Sequence, residues 1–153
     1  MRAVSDTTAV TTLLKVGRVD LLVGLFGSVL IPGSVHRELW RYHGTVPACC
    51  ELREVADSPR LRRLLAQADA GEAEAICLAL DTSADVLLID DKKGRRLAEA
   101  AGLRCLGLPA LLLAAKEQGR IASVAEFLDV LEQRGNFCLA RRFRGELLQR
   151  AKE

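Results

Sequence analysis

Residues 87–101 read LLIDDKKGRRLAEAA. An apolar run stops at two adjacent aspartates, Asp90 and Asp91, and a basic, helix-like segment follows. The run DVLLI is short and apolar at consecutive positions, which predicts a strand buried on both faces. In KKGRRLAEAAG, the residues Gly94, Leu97, Ala98 and Ala101 share one helical face, and Gly102 marks the end. A buried strand that passes straight into a helix is the repeating unit of an α/β protein.

The alternation continues in both directions. AVSD near the N-terminus is a short strand candidate ending at Asp6, and Thr7 or Thr8 is expected to cap the helix that follows. Val10, Leu13 and Leu14 form its apolar stripe, Gly17 ends it, and RVDLLVGLF adds further helical turns. SVLI, closed by Pro32, reads as another buried strand. GSVHRELWRY then reads as a helix with Val35, Leu39 and Tyr42 on one stripe. Within 44–60, CCELREVA fits a short helix or an edge strand. RLRRLLAQA and DAGEAEAICLAL are helical, and in the second Ala73, Ile76, Cys77 and Leu80 share a face. LRCLGL is a strand, and Pro109 opens a helix ending near Gly119. Ser123 and Glu126 have capping-box spacing, Gly135 stops that helix, and an amphipathic helix runs from about Leu139 onward. The expected fold is three-layer α/β/α, with a central, mostly parallel sheet and helices on both faces. All 153 residues are expected to form one domain, with the C-terminal helices starting at about 123.

Composition narrows the class. Half the residues are hydrophobic and 27% are charged, which is ordinary for a globular chain and argues against disorder. No apolar run is long enough to span a bilayer, and MRAVSDTT has no signal-peptide character. The five cysteines are odd in number and include no C-x-x-C pair, so neither a disulfide framework nor a zinc ribbon is expected. These features predict a reduced, cytoplasmic protein without membrane association. Net charge is only +2, so the distribution of charge says more than its sum. Lys92, Lys93, Arg95 and Arg96 form the basic cluster beside the paired aspartates.

Asp6 and the Asp90–Asp91 pair each follow a strand, and a parallel sheet gathers such ends on one edge. Any one of them alone reads as a helix cap; two strands ending in the same chemistry suggest a shared site. Glu38, on the helix after SVLI, flanks an inward stripe. Glu72 opens the helix after Asp69, with the spacing of a cap and its reciprocal partner. Glu74 lies about 200° round from Glu72, so one centre cannot use both equally, and Glu72 is preferred for its place in the first turn. Clustered carboxylates repel unless a cation neutralises them. A hard divalent ion with oxygen ligands, Mg2+ or Mn2+, suits such a set and also suits phosphate chemistry. No serine or cysteine shows a triad-like setting, and of the two histidines, His36 and His43, the first faces away from Glu38 on its helix and reads as a surface residue. Trp40 and Tyr42 are the only candidates for base stacking near the acids, and both read rather as core or interface packing residues.

VSDTT, LIPGSVHREL, DAGEAEAICLAL and LLIDDKKGRRLAEAAGL, in this order and spacing, resemble the acidic motifs of PIN-domain ribonucleases, in particular the VapC-like toxin branch. The resemblance covers nearly the whole chain. It implies a nuclease that cleaves single-stranded RNA using Mg2+ or Mn2+. It also implies Asp6, Glu38, Glu72 and either Asp90 or Asp91 as the acids of the active site. Asp6, Glu72 and Asp90 or Asp91 would anchor metal, with Glu38 binding it or orienting its waters. Lys92, Lys93, Arg95 and Arg96 would attract the RNA backbone across the acidic rim. Members of that branch are often homodimers restrained by a small antitoxin protein. The family often has aspartate at the position of Glu72, and threonine where Ile89 stands.

A rival reading is a non-catalytic α/β module that binds a partner protein, its acids serving as caps in a degenerate pocket. A phospho-acceptor receiver, suggested by LLIDD, is excluded because only about 60 residues follow Asp91.

Overall fold

The structure, a computed structural model, describes residues 1–153. Five strands form one sheet: β1 (Ala3–Ser5), β2 (Val29–Ile31), β3 (Cys50–Leu52), β4 (Val86–Leu88) and β5 (Cys105–Leu106). Their order is β3-β2-β1-β4-β5, and every pairing is parallel. The sheet is thus entirely parallel, and CCELREVA supplies its edge strand β3. Nine helices surround it: α1 (Thr7–Lys15), α2 (Asp20–Phe26), α3 (Gly33–His43), α4 (Pro59–Leu65), α5 (Ala70–Asp81), α6 (Lys92–Ala100), α7 (Leu108–Glu117), α8 (Val124–Arg134) and α9 (Arg141–Arg150).

Side chains alternate across a strand, and here both faces are covered. Ala3, Val29, Ile31, Val86 and Leu88 pack on one side, with Leu13, Leu39, Leu112 and Leu128 among their companions from the helices. Val4, Leu30, Leu87 and Ile89 pack on the other, against Ala75, Ile76 and Ala79 of α5 and Ala98 of α6. This double burial is why β2 and β4 read as unbroken apolar triplets and why all three residues of β1, Ser5 included, are buried. It also fixes the three layers and places the strand C-termini along one edge.

Three local expectations are corrected. Asp6, rather than either threonine, caps α1: its carboxylate accepts from the Thr8 amide at 3.2 Å. Asp6 has the extended backbone of a cap position, whereas Thr7 and Thr8 already lie within α1. Tyr42 stands exposed on α3 rather than on its inward stripe, which Val35 and Leu39 alone carry, and Trp40 is exposed beside it, outside the core. Ala101 lies outside, since α6 ends at Ala100 and only Gly94 and Ala98 of its face are buried. No helix is long and apolar enough to cross a membrane.

Candidate functional site

The register of the sheet sets the site. Ser5 pairs with Leu88, so Asp6 and Asp90 leave neighbouring strands at nearly the same level. The Asp6 amide donates to the Leu88 carbonyl at 3.0 Å, extending the ladder one residue past β1 and fixing where Asp6 sits. Asp6 is 4% exposed. Burial, followed by the charge of Asp90 and then that of Glu72, pushes its carboxyl up to about 8, against the backbone hydrogen bonds that favour ionisation.

Helix α5 brings Glu72 to the same edge. Asp69 caps that helix, accepting from the Glu72 amide at 2.9 Å. The sequence assigned Asp69 to this cap, yet it also lines the cleft described below. Burial raises the Glu72 carboxyl to about 7, helped by the charges of Asp69, Asp91 and Glu38. Gly94 makes room for it: a Cβ there would lie 3.0 Å from Glu72 Oε2 and 2.8 Å from Ile89 Cδ1. Glu74 goes elsewhere. Its carboxylate accepts from the Ser34 amide at 3.2 Å and from the Ser34 hydroxyl, tying α5 to the first turn of α3.

Glu38 is half-buried and accepts the Thr7 hydroxyl proton. No arginine or lysine pairs with it. Asp6, Thr7, Thr8, Glu38, Asp69, Gly71 and Glu72 line one small cleft of about 70 Å³ without a single apolar side chain.

The paired aspartates divide their work. Asp91 is exposed and caps α6, accepting from the Gly94 amide at 2.9 Å. Asp90 turns inward, and its Oδ1 accepts from the Leu108 amide at the start of α7, at 2.9 Å. Its other oxygen, Oδ2, is buried and has no partner. Burial raises the Asp90 carboxyl, while the Leu108 amide and Arg95 pull it back. A buried, unpartnered carboxylate oxygen is costly unless something positive meets it.

Four separate segments thus send carboxylates to one edge, and two of those carboxyls, Asp6 and Glu72, are held well above the ordinary carboxylate range. No three of the chain's His, Cys, Asp and Glu side chains are gathered closely enough to form a ready-made ion cage. The reason is visible in the hydrogen bonds: Asp69 and Asp91 are turned toward helix amides, Glu38 toward a hydroxyl, and one oxygen of Asp90 toward Leu108. The donor set still suits a hard divalent cation, being all carboxylate oxygen with one oxygen left unsatisfied.

Of the four basic residues singled out beside the site, Lys92 and Arg95 line a cavity that reaches Asp90. Lys93 and Arg96 are exposed on α6. His43 accepts or donates one bond with Thr11 at 3.0 Å, away from the acids.

Among curated proteins, none matches the chain. A family model described as a PIN domain matches residues 2–153. That span takes in every acid of the edge from Asp6 to Asp91, and all five strands that position them. The chain therefore belongs to the PIN domain family.

Proposed function

We propose that this chain is a Mg2+- or Mn2+-dependent endoribonuclease that cleaves phosphodiester bonds of single-stranded RNA. PIN domains are generally nucleases, and the metal dependence and the RNA substrate are the parts proposed. One observation carries the reading: Asp6, Asp90 and Glu72, from three distant segments, lie along the edge where a parallel sheet binds ligands, and burial, reinforced by the charges of Asp90 and Glu72, raises the Asp6 carboxyl to about 8. Asp6, Asp90 and Asp91 each accept a helix amide, but that local work does not require their charges to share one edge with Glu72, whereas a bound cation does.

In this reading Asp6 and Asp90 hold the ion, the unpartnered Oδ2 of Asp90 supplying one donor. Glu72 completes the set from α5. Asp91 serves as the cap that aims α6 and adds negative charge near Glu72. Glu38, steadied by Thr7, faces the cleft and orients waters. A bound divalent ion would neutralise the cluster, acidify a water and offset charge on the phosphodiester. By the resemblance to VapC-like toxins alone, a small antitoxin and a second copy of the chain would be its protein partners.

The test is cleavage of a fluorescent single-stranded oligoribonucleotide with Mn2+, with EDTA, and with Asp6→Asn. The wild type should cut only with the ion, and the variant should be slower by at least about a hundredfold while staying folded. Equal cleavage by Asp6→Asn would remove the assignment. The protein-binding module predicts no cleavage in any arm.

A further inference from the structure

We infer that a second site, next to the acids, holds one nucleobase of the RNA strand against Phe143. The inference rests on the reading above and extends it to how substrate is seated. A cavity of about 410 Å³ opens between α6, the start of α7 and α9. Its cations are Lys92, Arg95 and Arg150, its apolar wall includes Phe137, Leu139 and Phe143, and Asp90 lies at its rim. The cavity is therefore continuous with the acidic edge.

Phe143, a large apolar side chain in the first turn of α9, is 50% exposed. Leu147, one turn on, is buried and anchors α9, so Phe143 is not needed to dock that helix. Its ring is thus left free beside cations. Lys92 and Arg150 take part in no ion pair, and Arg95 has only a loose one to Glu99 at 4.0 Å. The one other carboxylate of the cavity, Glu146, pairs with Arg142 at 3.5 Å. An aromatic face flanked by free cations is how proteins seat single-stranded nucleic acid: bases stack, and phosphates meet the charges.

A second cavity strengthens the choice of an extended polyanion. Arg37 and Arg41 line it together with Glu38, on the side of α3. Helix α3 follows β2 and α7 follows β5, and these strands lie on opposite sides of the β1–β4 pair. Cations thus flank the acids in both directions along the sheet edge. A strand crossing β1 and β4 would present a phosphate to the acids and its next base to Phe143.

The test separates seating from chemistry. Binding of a short single-stranded oligoribonucleotide is measured by fluorescence anisotropy in EDTA, where no cleavage occurs. Phe143→Ala should weaken binding about five- to tenfold, and Phe143→Tyr should restore it. An oligonucleotide with abasic positions should bind the wild type and Phe143→Ala equally. Lys92→Gln with Arg150→Gln should flatten the salt dependence by about 0.7 in slope per residue. Asp6→Asn should bind RNA undiminished while failing to cut it, so loss of cleavage and loss of seating are read independently. The inference is overturned if Phe143→Ala binds like the wild type. It is equally overturned if the wild type binds no RNA while this surface takes up a protein segment.

Discussion

Asp6 and Asp90 leave two paired parallel strands one and two residues beyond the Ser5–Leu88 register, and the charge of Asp90 adds to burial in raising the Asp6 carboxyl to about 8. In the unfolded chain Asp6 titrates near its ordinary value, so the folded state holds a proton that the unfolded state releases. The consequence has a definite sign. At pH below about 3.8 the residue contributes no difference, and stability declines as pH rises from there through about 8. Without a cation, Asp6→Asn should therefore stabilise the protein at pH 8, since asparagine keeps the oxygen that accepts from Thr8 and loses the charge. A rise in Tm of roughly 5 to 10 °C in EDTA is expected. An unchanged or lower Tm would show that the acidic edge carries no strain of charge.

Protons and a divalent ion compete for these oxygens. Asp6 at about 8 and Glu72 at about 7 both need to ionise before they bind metal. Mn2+ affinity, measured by titration calorimetry, should rise at least about tenfold between pH 6 and pH 8. The gain in Tm on adding Mn2+ should grow over the same range. A pH-independent affinity would mean that the ion binds elsewhere.

Glu72 and Glu74 sit two residues apart and should separate cleanly. Glu74 joins α5 to Ser34, so Glu74→Ala should lower stability by about 1 to 3 kcal/mol and leave Mn2+ affinity near that of the wild type. Glu72→Gln should do the reverse, losing metal affinity with little cost in Tm. Thermal melts and metal titration on the same two variants decide the matter.

Much of this could be read from the chain. The apolar triplets of β2 and β4 declared burial on both faces, and a parallel sheet then required Asp6 and the 90–91 pair to share an edge. What stayed open was orientation. Whether Asp90 or Asp91 turns inward depends on the Leu108 amide, which arrives from α7 and is invisible in LLIDD itself. Choosing between Glu72 and Glu74 likewise depends on Ser34, far off in the sequence. Tyr42 misled because its spacing from Val35 and Leu39 is helical while the core ends one turn earlier. Phe143 gave no signal at all, since an aromatic residue in an amphipathic helix reads as core until the fold leaves it exposed.

Gly94 is legible as an inward residue of α6, and its function is to leave room. A methyl group there would press on Ile89 and on the Glu72 carboxylate at 2.8 and 3.0 Å. Alanine is ordinarily the better helix former by about 1 kcal/mol, so Gly94→Ala tests which effect prevails. Overpacking typically costs about 1 to 3 kcal/mol. A net loss of stability and weaker Mn2+ binding are expected, and a more stable variant with intact affinity would contradict the close approach.

Far from the acids, Glu153 provides an electrostatic clasp. Its carboxylate accepts from the amides of Val124 and Ala125 at 2.7 and 3.1 Å, from the Ser123 hydroxyl at 2.8 Å, and from Lys116 at 2.7 Å. It thereby covers the N-terminus of α8, where the Ser123 hydroxyl meets the Glu126 amide at 3.1 Å. Lys116 first, then these amide and hydroxyl donors, hold the Glu153 carboxyl down at about 2. The sign is opposite to that of Asp6. The stabilisation is fully present above the unfolded value near 4.5 and is lost as pH falls through about 2. Glu153→Gln should lower Tm at pH 7 by roughly 2 to 5 °C, as expected for losing a charged cap. The gap between variant and wild type should close as the pH is brought from 4.5 toward 2. A gap that persists undiminished at pH 2 would mean that the side chain acts by packing rather than by its charge.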